Sequence, residues 1–175
     1  TTNNVNSKRF TGYLQDTWSA ELEKGTVNSN LGVRFHFWHL STDDQPSDQS
    51  RTHLVGGPRA HVSYASKKEP LTIWSLAGGY YWQPPFYREM RAVDGTLNPD
   101  ILPQKSVHAV AGVDHIFEMY TRQFKFVGEV YYKDLDQLIP YEVENVRQRY
   151  YAVNNSSGYA TGIDLMLNGE FIDGI

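Results

Sequence analysis

Residues 84–104 concentrate side chains that can recognise a ligand. The candidate binding residues are Tyr87, Arg88, Glu89, Arg91 and Asp94, all within eight positions. Guanidinium groups form paired hydrogen bonds with anionic oxygens, and ligand pockets combine a few such polar groups with aromatic side chains. The segment could therefore meet a charged or sugar-like ligand. The same residues could instead stabilise the conformation of the loop through Arg–carboxylate pairs. The sequence alone favours this second interpretation and leaves the first open.

Candidate metal ligands are sparse. Asp43, Asp44 and Asp48 place three carboxylates within six residues, and carboxylate oxygens suit Ca²⁺. The Asp-x-Asp-x-Asp-Gly spacing of a calcium loop is missing, so a solvated loop is the favoured interpretation. Of the six histidines, His36 and His39 are three apart, which would put them on opposite faces of a strand. We expect no metal site.

Enzymatic chemistry lacks its usual signatures. The chain has no cysteine, and therefore no disulfide, Cys-ligated zinc or thiol nucleophile. A Gly-x-Ser-x-Gly elbow, a Walker A loop and a Gly-x-Gly-x-x-Gly turn are also missing. A catalytic pair could come from the charged residues Arg34, Lys125, Glu129, Lys133 and Asp164. The favoured interpretation is that these residues form cross-strand ion pairs lining a hydrated interior. We expect no enzyme and no cofactor.

Apolar and polar residues alternate along most of the chain, which is the pattern of β-strands. In the clearest stretch one side carries Phe124, Phe126, Gly128, Val130 and Tyr132. Seven strands are predicted, at about 9–22, 27–41, 52–66, 70–83, 105–119, 122–138 and 157–171. Most are about 14 residues long, whereas strands of globular proteins have about 5–6 and a tilted membrane strand needs roughly 9–11. The fold class predicted is an all-β antiparallel meander forming part of a large transmembrane barrel.

Short and long connections alternate along this meander. Residues 23–26, 66–69 and 120–121 read as tight turns, and residues 41–51, 84–104 and 139–156 as long loops. Outer-membrane barrels have short periplasmic turns and longer extracellular loops. The pattern predicts that the first strand starts on the extracellular side of the membrane. Bacterial barrels have an even number of strands, so we expect residues 1–175 to be a single segment of a larger barrel.

Two other architectures remain open. A small closed outer-membrane barrel with an enzymatic or adhesive role would need an eighth strand, which residues 141–151 could supply, although a hairpin or loop is favoured there. A soluble lipocalin-like barrel would bind its ligand inside, but the lipid-like outer faces count against it.

The net charge of −4 offers no basic face for nucleic acid. Aromatic residues near strand ends, such as Trp18, Trp38 and Tyr80, predict belts at the lipid–water interface.

Three stretches resemble a specific family. Residues 80–91 form the first, residues 97–106 are similar to an NPxLxPxxS segment, and residues 129–140 with 159–165 look like a YYKDxxDLI and GxxxGxDL strand pair. Together with the QDxW-like stretch at 13–18, they resemble the late barrel strands of TonB-dependent outer-membrane receptors, most closely those of Bacteroidetes. The resemblance covers the chain from about residue 10 onward.

The resemblance implies energy-coupled uptake of a bulky nutrient or metal chelate across the bacterial outer membrane. In that family a barrel of about 22 strands surrounds a plug. The plug carries the TonB box, and we expect plug, signal peptide and final strands to lie outside residues 1–175. The implied partners are the TonB energy-coupling complex, an extracellular substrate, outer-membrane lipid and a surface lipoprotein, with no nucleic acid among them.

Overall fold

Seven long strands form one antiparallel sheet in the computed structural model, which describes residues 5–42 and 51–170. They are β1 (Val5–Glu21), β2 (Gly25–Thr42), β3 (Arg51–Ser66), β4 (Leu71–Gln83), β5 (Gln104–Met119), β6 (Arg122–Leu138) and β9 (Ser156–Gly169). A separate hairpin is made by β7 (Tyr141–Glu144) and β8 (Arg147–Tyr150). Among the described residues, no helix is long and apolar enough to cross a membrane.

The predicted meander is confirmed. Each predicted strand is present, and the seven strands of the sheet are 13 to 18 residues long. Their order is β1-β2-β3-β4-β5-β6-β9, so β1 and β9 are the two edges and, in the described residues, do not pair with each other. Residues 141–151 form the favoured hairpin and add no eighth strand to the sheet.

One side of the sheet is apolar and exposed. Cross-strand partners share a side of an antiparallel sheet, and Phe10 is opposite Phe37, which is opposite Leu54. Farther across the sheet the same side carries Leu76, Ala111, Val130 and Ile163. We call this side the apolar face. Phe10 is 69% exposed and Ile163 is 70% exposed, and soluble monomers rarely expose apolar surface on this scale.

The other side, which we call the polar face, carries most of the charged and amide residues of the strands. Arg34, Arg59, His108 and Lys133 lie there, in β2, β3, β5 and β6. The apolar face therefore suits lipid and the polar face suits a hydrated interior, as the alternation predicts.

The two ends of the sheet differ. At one end the strands are joined by tight connections, and the turn between β5 and β6 has Tyr120 at φ 54° and Thr121 at φ 62°. Two positive φ angles make the type I′ turn that matches strand twist. At the other end lie the connections 84–103 and 139–155, which fold together into what we call the loop layer.

The largest fully buried side chains belong to the loop layer and the strand ends beneath it. Trp38 is 0% exposed, and Met90 and Ile101 are each 1% exposed. Leu40, Ile139 and Ala152 complete this cluster. The expectation that Trp38 lies in an interfacial belt is therefore wrong, because its side chain is on the polar face and is covered by the loops. Trp18 and Tyr80 lie on the apolar face, exposed by 58% and 42%.

Candidate ligand-binding site

The 84–103 loop folds back across the polar face. It leaves β4, yet Arg9 Nη2 of β1 donates a hydrogen bond of 2.5 Å to the carbonyl oxygen of Pro85. Arg51 of β3 forms an ion pair with Asp100. Because β1 is three strands away from β4 in the sheet, the loop covers the outer part of the polar face.

A small hairpin forms the tip of this loop. Arg91 and Leu97 form an antiparallel bridge, and the amide of Ala92 donates to the carbonyl of Thr96 over 2.9 Å. Gly95 has φ +88° at the turn, a backbone angle that residues with a Cβ rarely adopt. The hairpin sets the direction in which the Arg91 side chain leaves the loop.

Asp94 stabilises the turn of the same hairpin. Its Oδ1 accepts hydrogen bonds from the amide of Thr96 at 2.9 Å and from the hydroxyl of Thr96 at 2.6 Å. These bonds favour the ionised form and hold the pKa of Asp94 below its usual range. The carboxylate is therefore charged at neutral pH, and the oxygen that accepts both bonds is already occupied.

Glu89 has a different place from the other candidate residues. It is 6% exposed, and its carboxylate accepts hydrogen bonds from the amide of Phe86 at 2.7 Å and from Nε2 of Gln104 at 3.2 Å. It thus ties the start of the loop to the start of β5. Nothing in the local sequence distinguishes the buried Glu89 from its exposed neighbours.

The second loop is fastened to the first by asparagine side chains. Oδ1 of Asn154 accepts from the amide of Leu102 at 2.7 Å, and its Nδ2 donates to the carbonyl oxygens of Leu102 at 3.0 Å and Gln137 at 2.8 Å. Nδ2 of Asn98 donates to the carbonyl of Ala152 at 2.8 Å. Buried and half-buried backbone groups must find such partners, so these amides fix how the two loops meet.

Apolar packing holds the layer down on the sheet. Met90 and Ile101 of the first loop pack with Ile139 and Ala152 of the second against Trp38 and Leu40 of β2. The Trp38 indole stacks on the His53 ring with centroids 4.8 Å apart. The loop layer therefore has its own hydrophobic core.

A cleft of about 550 Å³ lies between the tip of the first loop and β8. We call it the arginine cleft, because it is lined by Arg88 and Arg91 of the loop and by Arg147 and Arg149 of β8. Tyr87, Asp94 and Tyr150 also line it. Four of the five predicted binding residues thus share one cleft, and Glu89 lies outside it. Their role in ligand binding stays a prediction.

Arg147, Arg149 and Tyr150 were not among the predicted binding residues. Arginines two positions apart on a strand point to the same side, so the Arg-x-Arg spacing at 147 and 149 is the signal that could have found them. Arg149 Nη2 pairs with Glu144 Oε2 at 2.9 Å. Arg88, Arg91 and Arg147 form no ion pair with any residue that the structure describes. Among the described residues, the Arg–carboxylate pairs of the competing interpretation are therefore missing at Arg88 and Arg91, whereas Asp100 of the same loop pairs with Arg51 of β3.

The neighbouring Tyr151 is engaged outside the cleft. Its hydroxyl donates to Oε2 of Glu142 at 3.0 Å. That bond and the negative charge of Glu142 raise the pKa of Tyr151. The phenol is therefore neutral at physiological pH, and it links the end of the hairpin to its first strand.

The charged residues of the polar face follow their prediction in part. Lys125 pairs with Asp114 of the neighbouring strand at 2.6 Å, the expected kind of cross-strand pair. Glu129 lies directly opposite Asp164, and like charges in that position destabilise a sheet. For Arg34 and Lys133 the part of the chain that the structure describes offers no ion pair.

Within residues 5–42 and 51–170, no group of three or more His, Asp or Glu side chains is placed to hold a metal ion. Asp43, Asp44 and Asp48 lie outside the described residues.

The chain matches a known family over almost its whole length. No curated protein and no solved structure matches it. The family model described as TonB dependent receptor-like, beta-barrel matches residues 1–173. The members of that family are receptors and transporters, not enzymes, and they interact with TonB and with their substrates. The chain therefore belongs to the family of TonB-dependent receptor β-barrels, which are proteins of the outer membrane.

Proposed function

We propose that this chain supplies wall and outer binding surface to a receptor that takes up a bulky nutrient or a metal chelate with energy from TonB. The observation that carries the proposal is the loop layer, which folds over the polar face and holds a cleft lined by Tyr87, Arg88, Arg91 and Asp94. The substrate would meet these side chains first. Glu89 would contribute by shaping the loop.

The placement of the loop layer outside the cell rests on the asymmetry of the sheet. Tight turns join the strands at one end and long connections at the other, and in outer-membrane barrels the long connections are extracellular. The arginine cleft would then face the side from which nutrients arrive. An interior site would instead be reached only after passage through the layer.

Residues 1–175 would be one segment of a larger barrel. Each unsatisfied backbone group in lipid costs several kcal/mol, and β1 and β9 each offer an unpaired edge within the described sheet. Additional strands of the receptor would cover these edges. The unpaired edges and the exposed apolar face favour this reading over a small closed barrel and over a lipocalin-like barrel. Assignment to the Bacteroidetes type rests on the motif at residues 97–106 and the strand pair at 129–140 and 159–165.

Transport by the full-length receptor tests the proposal. Cells with and without it would receive labelled oligosaccharides and labelled ferric chelates, each with and without a protonophore. We expect at least one of these solutes to accumulate only when the receptor is present, and to stop accumulating when the protonophore removes the energy source. Accumulation that persists with the protonophore would indicate a passive pore and would contradict the proposal.

A further inference from the structure

We propose that the arginine cleft binds the anionic groups of the transported ligand, whether carboxylate or sulfate. This inference rests on the proposed function and adds the charge of the substrate to it. The main support is that Arg88, Arg91 and Arg147 line one cleft without a carboxylate partner among the described residues.

The positive charge of the cleft runs against the charge of the whole chain. The chain has a net charge of −4 and nine arginines, yet four of those arginines line this cleft. Asp94 is the carboxylate in the lining, and one of its oxygens already accepts two hydrogen bonds from Thr96. An arriving anion therefore meets an excess of guanidinium groups.

The backbone of two of these arginines is held in place before any ligand arrives. Arg91 extends from the backbone bridge that it forms with Leu97. Arg147 lies opposite Glu144 in the backbone ladder of the β7–β8 hairpin, while the carboxylate of Glu144 pairs with Arg149. Groups that are already ordered lose less entropy when they bind. Guanidinium groups that line one cleft without counter-charges repel one another, and an anion with two oxygens relieves that repulsion through paired hydrogen bonds.

The size and the aromatic lining suit a ligand with a larger body. A volume of about 550 Å³ lies within the range of small-molecule pockets, roughly 300–1,000 Å³. Tyr87 and Tyr150 border the same cleft and offer ring surface to the uncharged part of the ligand. The cleft thus fits an acidic sugar or an acidic chelate better than a bare inorganic ion.

Two cations without ion-pair partners among the described residues also lie on the polar face. On the polar face, the Arg59 guanidinium lies 4.2 Å from the centroid of the Tyr81 ring, and Lys133 Nζ lies 5.2 Å from that of Tyr131. Neither cation has an ion-pair partner in the described sheet, and Nε of Arg59 is buried without a hydrogen bond. An anion that leaves the cleft would again meet cations on aromatic rings.

Binding to the full-length receptor in lipid nanodiscs tests the inference. The probes are three fluorescent oligosaccharides of equal length, which are an oligogalacturonate, a sulfated galactan and a neutral galactan. We expect at least one acidic probe to bind about tenfold or more tightly than the neutral one, and the two acidic probes tell carboxylate from sulfate. Hydrogen bonds to charged groups contribute about 1.5–3 kcal/mol, so Arg88→Gln with Arg91→Gln should weaken acidic binding by at least about tenfold.

Controls separate charge from folding. Lys68→Gln removes the same charge from the turn end of the sheet and should leave binding unchanged. Arg147→Lys keeps the charge but loses the paired geometry, and we expect it to weaken acidic binding less than Arg147→Gln does. Resistance of the barrel to trypsin shows that each variant is folded.

Two results would overturn the inference. One is equal binding of acidic and neutral probes, or no binding of any of them, by the unaltered receptor. The other is unchanged acidic binding in the folded Arg88→Gln and Arg91→Gln double variant. Neither result changes the outcome expected from the protonophore experiment, because a receptor for neutral solutes would still show energy-coupled uptake.

Discussion

The wall of seven strands and the loop layer organise their apolar side chains in opposite ways. In the wall, Leu14 and Ile163 are 73% and 70% exposed on the apolar face, and the strands are held together by backbone ladders. In the loop layer, Met90 and Ile101 are each 1% exposed, and asparagine side chains fasten loop to loop. A wall in lipid needs paired backbone and an apolar surface, whereas loops in water need a core of their own. Substitutions should therefore act by different rules in the two regions.

The largest effect is expected from Trp38→Ala. Trp38 is completely buried beneath the loops, and removing a buried Trp side chain costs about 3–5 kcal/mol. The loop layer should loosen while the wall persists, which limited proteolysis within residues 84–103 would detect. Leu14→Ala on the apolar face is the matched control and should leave cleavage unchanged. Equal protease resistance of the Trp38 variant and the unaltered protein would contradict a core in the layer.

A charge introduced on each face of β9 tests the wall. Ile163→Arg puts a guanidinium on the apolar face, where a cation near the bilayer midplane costs about 2–4 kcal/mol. Asp164→Arg puts it on the polar face, opposite Glu129, where it replaces a like-charge neighbour with an attractive one. Urea unfolding in lipid should show a lower midpoint for the first variant and an equal or higher midpoint for the second. The reverse order would mean that the faces are assigned wrongly.

Asn154→Ala should have a moderate effect that is confined to the loop layer. The change removes the bonds to Leu102 and Gln137, and a half-buried group left without its partner costs about 1–3 kcal/mol. We expect faster hydrogen exchange at the amide of Leu102 and unchanged exchange in β1 to β4. Exchange that rises equally in both regions would show that the layer and the wall unfold as one unit.

The smallest effect is expected from acid acting on the tip hairpin. Because the pKa of Asp94 is lowered in the folded protein, its carboxylate stabilises the turn fully above the usual value of 3.8, and this contribution is lost as the pH falls through the lowered pKa. Asp94→Asn should abolish this dependence. The measurement is the protection of the Thr96 amide, which is its exchange rate relative to the intrinsic rate at each pH. Protection that still falls with pH in the variant would assign the effect to another group.

The wall could be predicted from the sequence because its signal is local and repeated. Alternation over more than a dozen residues defines a strand and both of its faces, and the two-residue turn at Tyr120 and Thr121 fixes the register of the hairpin. The loop layer could not be predicted in the same way. Trp38 has the pattern of an interfacial aromatic, and only contact with loops far away in the chain shows that it is buried.

The candidate site shows the same division. Tyr87, Arg88, Arg91 and Asp94 were found because their types are conspicuous, and Glu89 was grouped with them although it is buried. Arg147 and Arg149 complete the cleft from another loop. Which side chains of two loops meet depends on bonds such as Asn154 to Leu102, 52 positions apart, and single-sequence patterns carry no record of such pairings.

The hydrogen bond between Arg9 and Pro85 has a consequence for the order of assembly. It joins residues 76 positions apart, whereas each turn of the meander joins neighbouring strands. Contacts between distant residues form slowly, because the intervening chain must first lose its freedom. Consecutive strands can therefore pair before the 84–103 loop is ordered. Docking of this loop onto β1 then comes last. Until that step the polar face beneath the loop stays uncovered.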